Sequence, residues 1–134
     1  MAALVRIEGI GEKYADCLAQ AGIGSTMTLL AQGATRTGRR SIARISGVTG
    51  NRVLAWVNRA DLFRIKGIGK EYSELLEASG VDSVPELALR NAAHLREKMA
   101  EVNEARCLVR RLPNLSEVRS WIGQAKKLPR KVEH

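Results

Sequence analysis

Residues 63–83 read FRIKGIGKEYSELLEASGVDS, and residues 5–25 read VRIEGIGEKYADCLAQAGIGS. Nine of the 21 paired positions are identical, and most others are conservative, such as Ile23 with Val81. Each copy sets apolar residues ahead of Gly-Ile-Gly and follows it with apolar residues at helical spacing. Tyr14, Ala15, Leu18 and Ala21 share one helical face in the first copy. Gly22 and Gly80 then stop the helix, because glycine tolerates the left-handed conformation at a C-terminus. A chain that repeats helix, glycine elbow, helix, first around Gly9 and again around Gly67, is read as all-α.

Outward from these copies the punctuation stays helical. Ala2 to Ile7 is expected to form a short first helix. Ser25 is an N-cap for a helix to about Gln32, and another helix is expected over roughly Gly38 to Arg44. Gly47-Val48-Thr49 forms a second hairpin, with Thr49 capping a helix that carries Val53, Trp56 and Val57. In the second half, Ser83-Val84-Pro85-Glu86 has capping-box spacing with proline in the first turn. Asn91 caps a helix to about Val102, and Asn114 opens the last one. Trp121 is the counterpart of Trp56, yet it stands further from Gly67 than Trp56 does from Gly9, so the segment from Asn103 to Leu112 contains an insertion. No strand-like alternation appears. The expected architecture is about ten short helices. They form a first unit at 1–61, a second at 62–128 and a basic, disordered tail at 129–134.

The chemistry lies at the elbows. Glycine reaches backbone angles barred to other residues and leaves the main chain open to close approach. A helix begins directly after each Gly-Ile-Gly, so its unpaired N–H groups and positive dipole end face the same spot. Lys13 and Lys70 add charge in those first turns. The second hairpin is looser, since Thr49 replaces its second glycine, and Gly47 is its remaining contact point. The fourth hairpin, Leu112-Pro113-Asn114, has lost its glycines and is expected to be structural.

The apolar-x-Gly-apolar-Gly pattern at Ile7 to Gly11 and Ile65 to Gly69 resembles the helix-hairpin-helix motif. Two stretches, WVNRADLFRIKGIGKEYSELLEASGVDSVPELALRN and LVRRLPNLSEVRSWIGQAKKL, extend the likeness over almost the whole chain. They resemble an uncharacterised, mainly bacterial family of tandem helix-hairpin-helix proteins, a domain of unknown function. The resemblance implies two such pairs, built as short-helix bundles like those of sterile-alpha-motif domains. It also implies contact with the nucleic-acid sugar-phosphate backbone without sequence reading, and no assigned activity.

Composition agrees with a polyanionic partner. The net charge is +8, with 22 Lys and Arg against 14 Asp and Glu. Arg36, Arg39, Arg40 and Arg44 form one basic group, Arg106, Arg110 and Arg111 a second, and Lys126, Lys127, Arg130 and Lys131 a third. Arg40 with Arg44, and Arg106 with Arg110, have the spacing of one helical face. The expected nucleic-acid contacts are Gly9, Gly11, Lys13, Arg40, Arg44, Gly47, Gly67, Gly69, Lys70, Arg110 and Arg111. Trp56 and Trp121 are read as core.

Other classes are disfavoured. No apolar run spans a membrane, and the N-terminus lacks the pattern of a signal peptide. Cys17 and Cys107 sit in apolar patterns and are expected as buried free thiols in a reducing cytoplasm. His94 and His134 with these cysteines give no metal-ligand set, so no metal or cofactor is expected. Asp16, Asp61 and Asp82 do not suit a base-flipping pocket, and the remaining acids are scattered, so no catalytic role is expected. No small-molecule substrate is indicated. The alternative is a protein-interaction adaptor or scaffold using the same bundle with no nucleic-acid role, which Glu12 and Glu71 beside the elbows favour.

Overall fold

The computed structural model describes residues 3–134. Among the described residues, eight α-helices follow a 3-10 turn at Leu4–Arg6 and there is no strand. They are α1 (Glu12–Gln20), α2 (Thr26–Gln32), α3 (Arg36–Ser46), α4 (Gly50–Leu62), α5 (Lys70–Ala78), α6 (Val84–Ala88), α7 (Ala92–Arg106) and α8 (Leu115–Lys127). The protein is all-α. In place of the helix expected at Ala2–Ile7 there is only the 3-10 turn, and Ala2 lies outside the described residues.

The chain divides into two compact units. Unit 1 is Met1–Asp61 with Lys131–His134, and unit 2 is Leu62–Arg130. In unit 1, α1 packs on α3, and Ile7, Leu18, Ile23, Leu29, Val53 and Val57 are sealed from solvent. In unit 2, α5 packs on α7, and α8 packs on both α6 and α7. Its core gathers Leu75, Leu76, Val81, Leu87, Leu95, Met99, Val118 and Trp121. With few aromatics, each core is closed by interdigitated aliphatic side chains, the main source of stability in both units.

Caps set most helix starts. Ser25, Thr35, Ser83, Asn91 and Asn114 each accept a main-chain N–H of the following first turn. Among these five, only Asn114 completes a reciprocal box, with Glu117 reaching back to the Asn114 N–H. Thr35 caps α3, which starts at Arg36, ahead of the expected Gly38.

Helix α7 runs to Arg106, beyond the expected Val102, and stops on Cys107 at φ 52, a left-handed cap made without glycine. Asn103 then clasps Val109, with its Oδ1 accepting the Val109 N–H at 2.9 Å and its Nδ2 donating to the Val109 carbonyl at 3.1 Å. Cys107 is therefore exposed at a helix end and Cys17 is half-buried, so neither is the fully buried thiol expected.

The C-terminal residues, expected to be disordered, lie along unit 1. Val132 is 1% exposed, and the Glu133 N–H donates to the Ala34 carbonyl at 2.7 Å.

Candidate nucleic-acid interface

The two Gly-Ile-Gly elbows are built alike. Ile10 and Ile68 turn inward, 3% and 5% exposed, and their N–H groups close the turns on Ile7 and Ile65 at 3.1 and 3.2 Å. Behind each elbow stands an aromatic pair. Tyr14 and Trp56 ring centroids are 5.2 Å apart, as are those of Tyr72 and Trp121. The residue before each first glycine is held through its carbonyl. Arg59 donates to Glu8 at 2.8 Å, and the Gln124 amide donates to Lys66 at 3.3 Å. Gln124 is the counterpart of Arg59 once the two tryptophans are aligned.

The two glycines of an elbow do different jobs. Gly9 and Gly67 adopt φ of 96 and 98, which disfavours any side chain. A Cβ on Gly67 would stand 2.8 Å from the Trp121 Nε1, and one on Gly9 would stand 3.4 Å from that of Trp56. Gly9 is explained by its positive φ, and Gly67 both by its positive φ and by the indole behind it. Gly11 is different. It has φ −93 and ψ −173, which any residue adopts, and a Cβ there would meet nothing within 4 Å. Gly69 is likewise extended, at φ −116 and ψ −159.

Gly11 and Gly69 are the N-caps of α1 and α5, and neither helix has a side-chain cap. Lys13 and Lys70 are exposed in the first turns, and so are Glu12 and Glu71. Gly9, Gly11 and Gly67 are exposed and Gly69 is half-buried, so the elbows are open to solvent in their own units. An anion reaching them would meet the amides of the first helical turn, since the Ile10 and Ile68 amides are already occupied.

The second hairpin differs from the fourth. Gly47 ends α3 at φ 76, exposed, and Arg40 and Arg44 are exposed on α3. The Arg52 N–H reaches the Thr49 hydroxyl at 3.4 Å, a weak cap for α4. The Arg52 guanidinium lies 5.0 Å from the Tyr14 ring centroid, which sets a cation against the first turn of α1. With Trp56 aligned on Trp121, the counterpart of Arg52 in unit 2 is Glu117. There Arg111 donates to both Glu117 oxygens, at 2.7 and 2.9 Å, so Arg111 is engaged within the chain. The hydrogen bond from Arg111, then that from the Asn114 N–H, holds the Glu117 carboxyl down to about 2.

The eleven expected contact residues thus divide. Unit 1 holds Gly9, Gly11, Lys13, Arg40, Arg44 and Gly47, and unit 2 holds Gly67, Gly69, Lys70, Arg110 and Arg111. Arg110 is exposed, but it lies past the end of α7 and shares no helical face with Arg106. Arg36 and Arg39, grouped with Arg40 by sequence, instead hold the C-terminal residues. Sequence reasoning missed Arg52. Its signal was a place one helical turn before Trp56, where the other copy has a carboxylate.

These features define an all-helical protein of two units, each bearing an open glycine elbow backed by a Tyr–Trp pair. The family model for DUF4332, a domain of unknown function, matches residues 8–128, and the chain belongs to that family. No curated protein and no solved structure matches the chain. No helix among the described residues is long and apolar enough to cross a membrane.

Proposed function

We propose that the protein binds nucleic acid, duplex DNA first of all, through the phosphate backbone and without reading sequence. In this reading the two units are tandem helix-hairpin-helix pairs, repeated at the spacing that separates Gly9 from Gly67. The protein works in the cytoplasm as a binder rather than an enzyme. The observation that carries the reading is a contrast among helix starts. Helices α2, α3, α6, α7 and α8 have side-chain caps, whereas α1 and α5 start on exposed or half-exposed glycines without one. A phosphate oxygen supplies the acceptor such a turn lacks, in a favourable dipole field. Neither conformation nor crowding demands glycine at Gly11, and room for a ligand's oxygen supplies a reason for it.

Lys13, Lys70, Arg40, Arg44 and Arg52 provide the surrounding positive charge, while Glu12 and Glu71 oppose it. The fourth hairpin, with Arg111 tied to Glu117, is the weakest contact. The test is fluorescence anisotropy with short labelled duplexes of two unrelated sequences over a salt series. Both should bind equally. With about four phosphates engaged, log K against log salt should have a slope of about −3.6. Absence of binding at low ionic strength, or a flat salt dependence, overturns this reading. A protein partner co-purifying with a chain that ignores DNA would establish the scaffold reading instead.

A further inference from the structure

The C-terminal residues are held the way a bound peptide is held. The segment Lys131–His134 belongs to unit 1, although the preceding chain belongs to unit 2. Val132 is 1% exposed, so its side chain is a buried anchor. After it, three contacts engage the main chain of the segment and two its side chains. The Glu133 N–H donates to the Ala34 carbonyl at 2.7 Å, and Arg39 Nη2 donates to the Glu133 carbonyl at 2.5 Å. Arg36 Nε donates to the His134 main-chain oxygen at 2.7 Å, and His134 Nε2 lies 2.8 Å from Asn58 Oδ1. The Glu133 carboxylate accepts the Arg36 N–H at 3.4 Å, at the first turn of α3.

The receiving side is built for this. Arg39 is 7% exposed, and its Nη1 donates to the Gly33 carbonyl at 2.8 Å and to the Ala34 carbonyl at 3.3 Å. Its guanidinium is thereby locked with one edge turned to the occupant. A buried arginine is costly unless its donors find acceptors, and the Glu133 carbonyl supplies one to Nη2. Burial lowers the Arg39 guanidinium from its ordinary range, and the Glu133 carboxylate opposes that.

We propose that unit 1 carries a peptide-recognition cleft formed by the α2–α3 turn, the start of α3 and Asn58, with the chain's own residues 131–134 as its resident ligand. The cleft recognises an extended segment with a small apolar side chain followed by an acidic one. The apolar side chain is buried, Arg39 grips the next main-chain oxygen, and the acid meets the first turn of α3. Because the ligand is a short strap outside every helix, its detachment leaves the helices in place.

The experiment uses the full chain and its Val132→Asp variant. Helical circular dichroism should match. Amide exchange at Glu133 should be protected in the natural chain and faster by about tenfold or more in the variant, because a buried valine no longer anchors the strap. A synthetic peptide, LPRKVEH, added to the variant should shift the amide resonances of Ala34, Arg36 and Asn58 and saturate. The same peptide with aspartate in place of its valine should not. Rapid exchange at Glu133 in the natural chain, or equal binding of both peptides, overturns the proposal. None of these readouts involves nucleic acid, so their outcome is independent of phosphate binding at the elbows.

Discussion

Substituting Gly11→Asp should stabilise unit 1 and weaken nucleic-acid binding at the same time. At φ −93 and ψ −173 with nothing within 4 Å of the new Cβ, aspartate enters without strain. Replacing glycine by a residue that fits its angles removes about 0.4–1 kcal/mol of unfolded-state entropy. An aspartate N-cap adds a few tenths of a kcal/mol over glycine, and its charge at a helix N-terminus adds about 0.3–1 kcal/mol at low salt. Glu12, adjacent and of like charge, takes part of this back. The net is about 1 kcal/mol, read as a rise of a few degrees in the thermal midpoint. The same carboxylate would occupy the place open to a phosphate. Duplex affinity should fall by about tenfold or more, and the salt slope should shrink by about 0.9 for one phosphate no longer engaged. A variant that is more stable yet binds duplex with unchanged affinity and slope would place the elbow off the binding path and rule out phosphate binding there.

Two further predictions concern stability. Gly67→Ala should destabilise unit 2 by about 2–4 kcal/mol in urea unfolding, combining the cost of a positive φ with the clash of its Cβ against the Trp121 indole. Gly11→Ala should be close to neutral, so equal effects of the two would contradict the division of labour within the elbow. Glu117 has its carboxyl pKa lowered in the folded state to about 2. Its pairing therefore stabilises unit 2 above the ordinary glutamate value, and that contribution disappears as pH falls from there towards the folded-state value. Glu117→Gln should flatten this part of the urea midpoint against pH.

The all-helical class was legible because its signals are local. Gly22 and Gly80 stop helices, and Ser25, Ser83, Asn91 and Asn114 start them where their side chains predict. What escaped depended on partners distant in sequence. Cys107 ends α7 in a left-handed conformation that its residue type does not announce, so α7 runs past its expected end. Arg39 is one of the basic group with Arg36, Arg40 and Arg44, and only the fold turns it inward to Gly33, Ala34 and Glu133. The same contact orders a tail whose composition reads as solvated. At the elbows the sequence located the glycines but not their separate jobs, since the indole behind Gly67 arrives from α8, at the far end of unit 2 in sequence.

Phosphate binding at the elbows is tested most directly by an amide chemical-shift titration of the isotope-labelled protein with a short DNA duplex at low ionic strength. The largest shifts should fall on the first-turn amides of α1 and α5, at Glu12, Lys13, Lys70 and Glu71, and added salt should reverse them. Shifts confined to other surfaces, or none at these four residues while the duplex is bound, would contradict phosphate binding there.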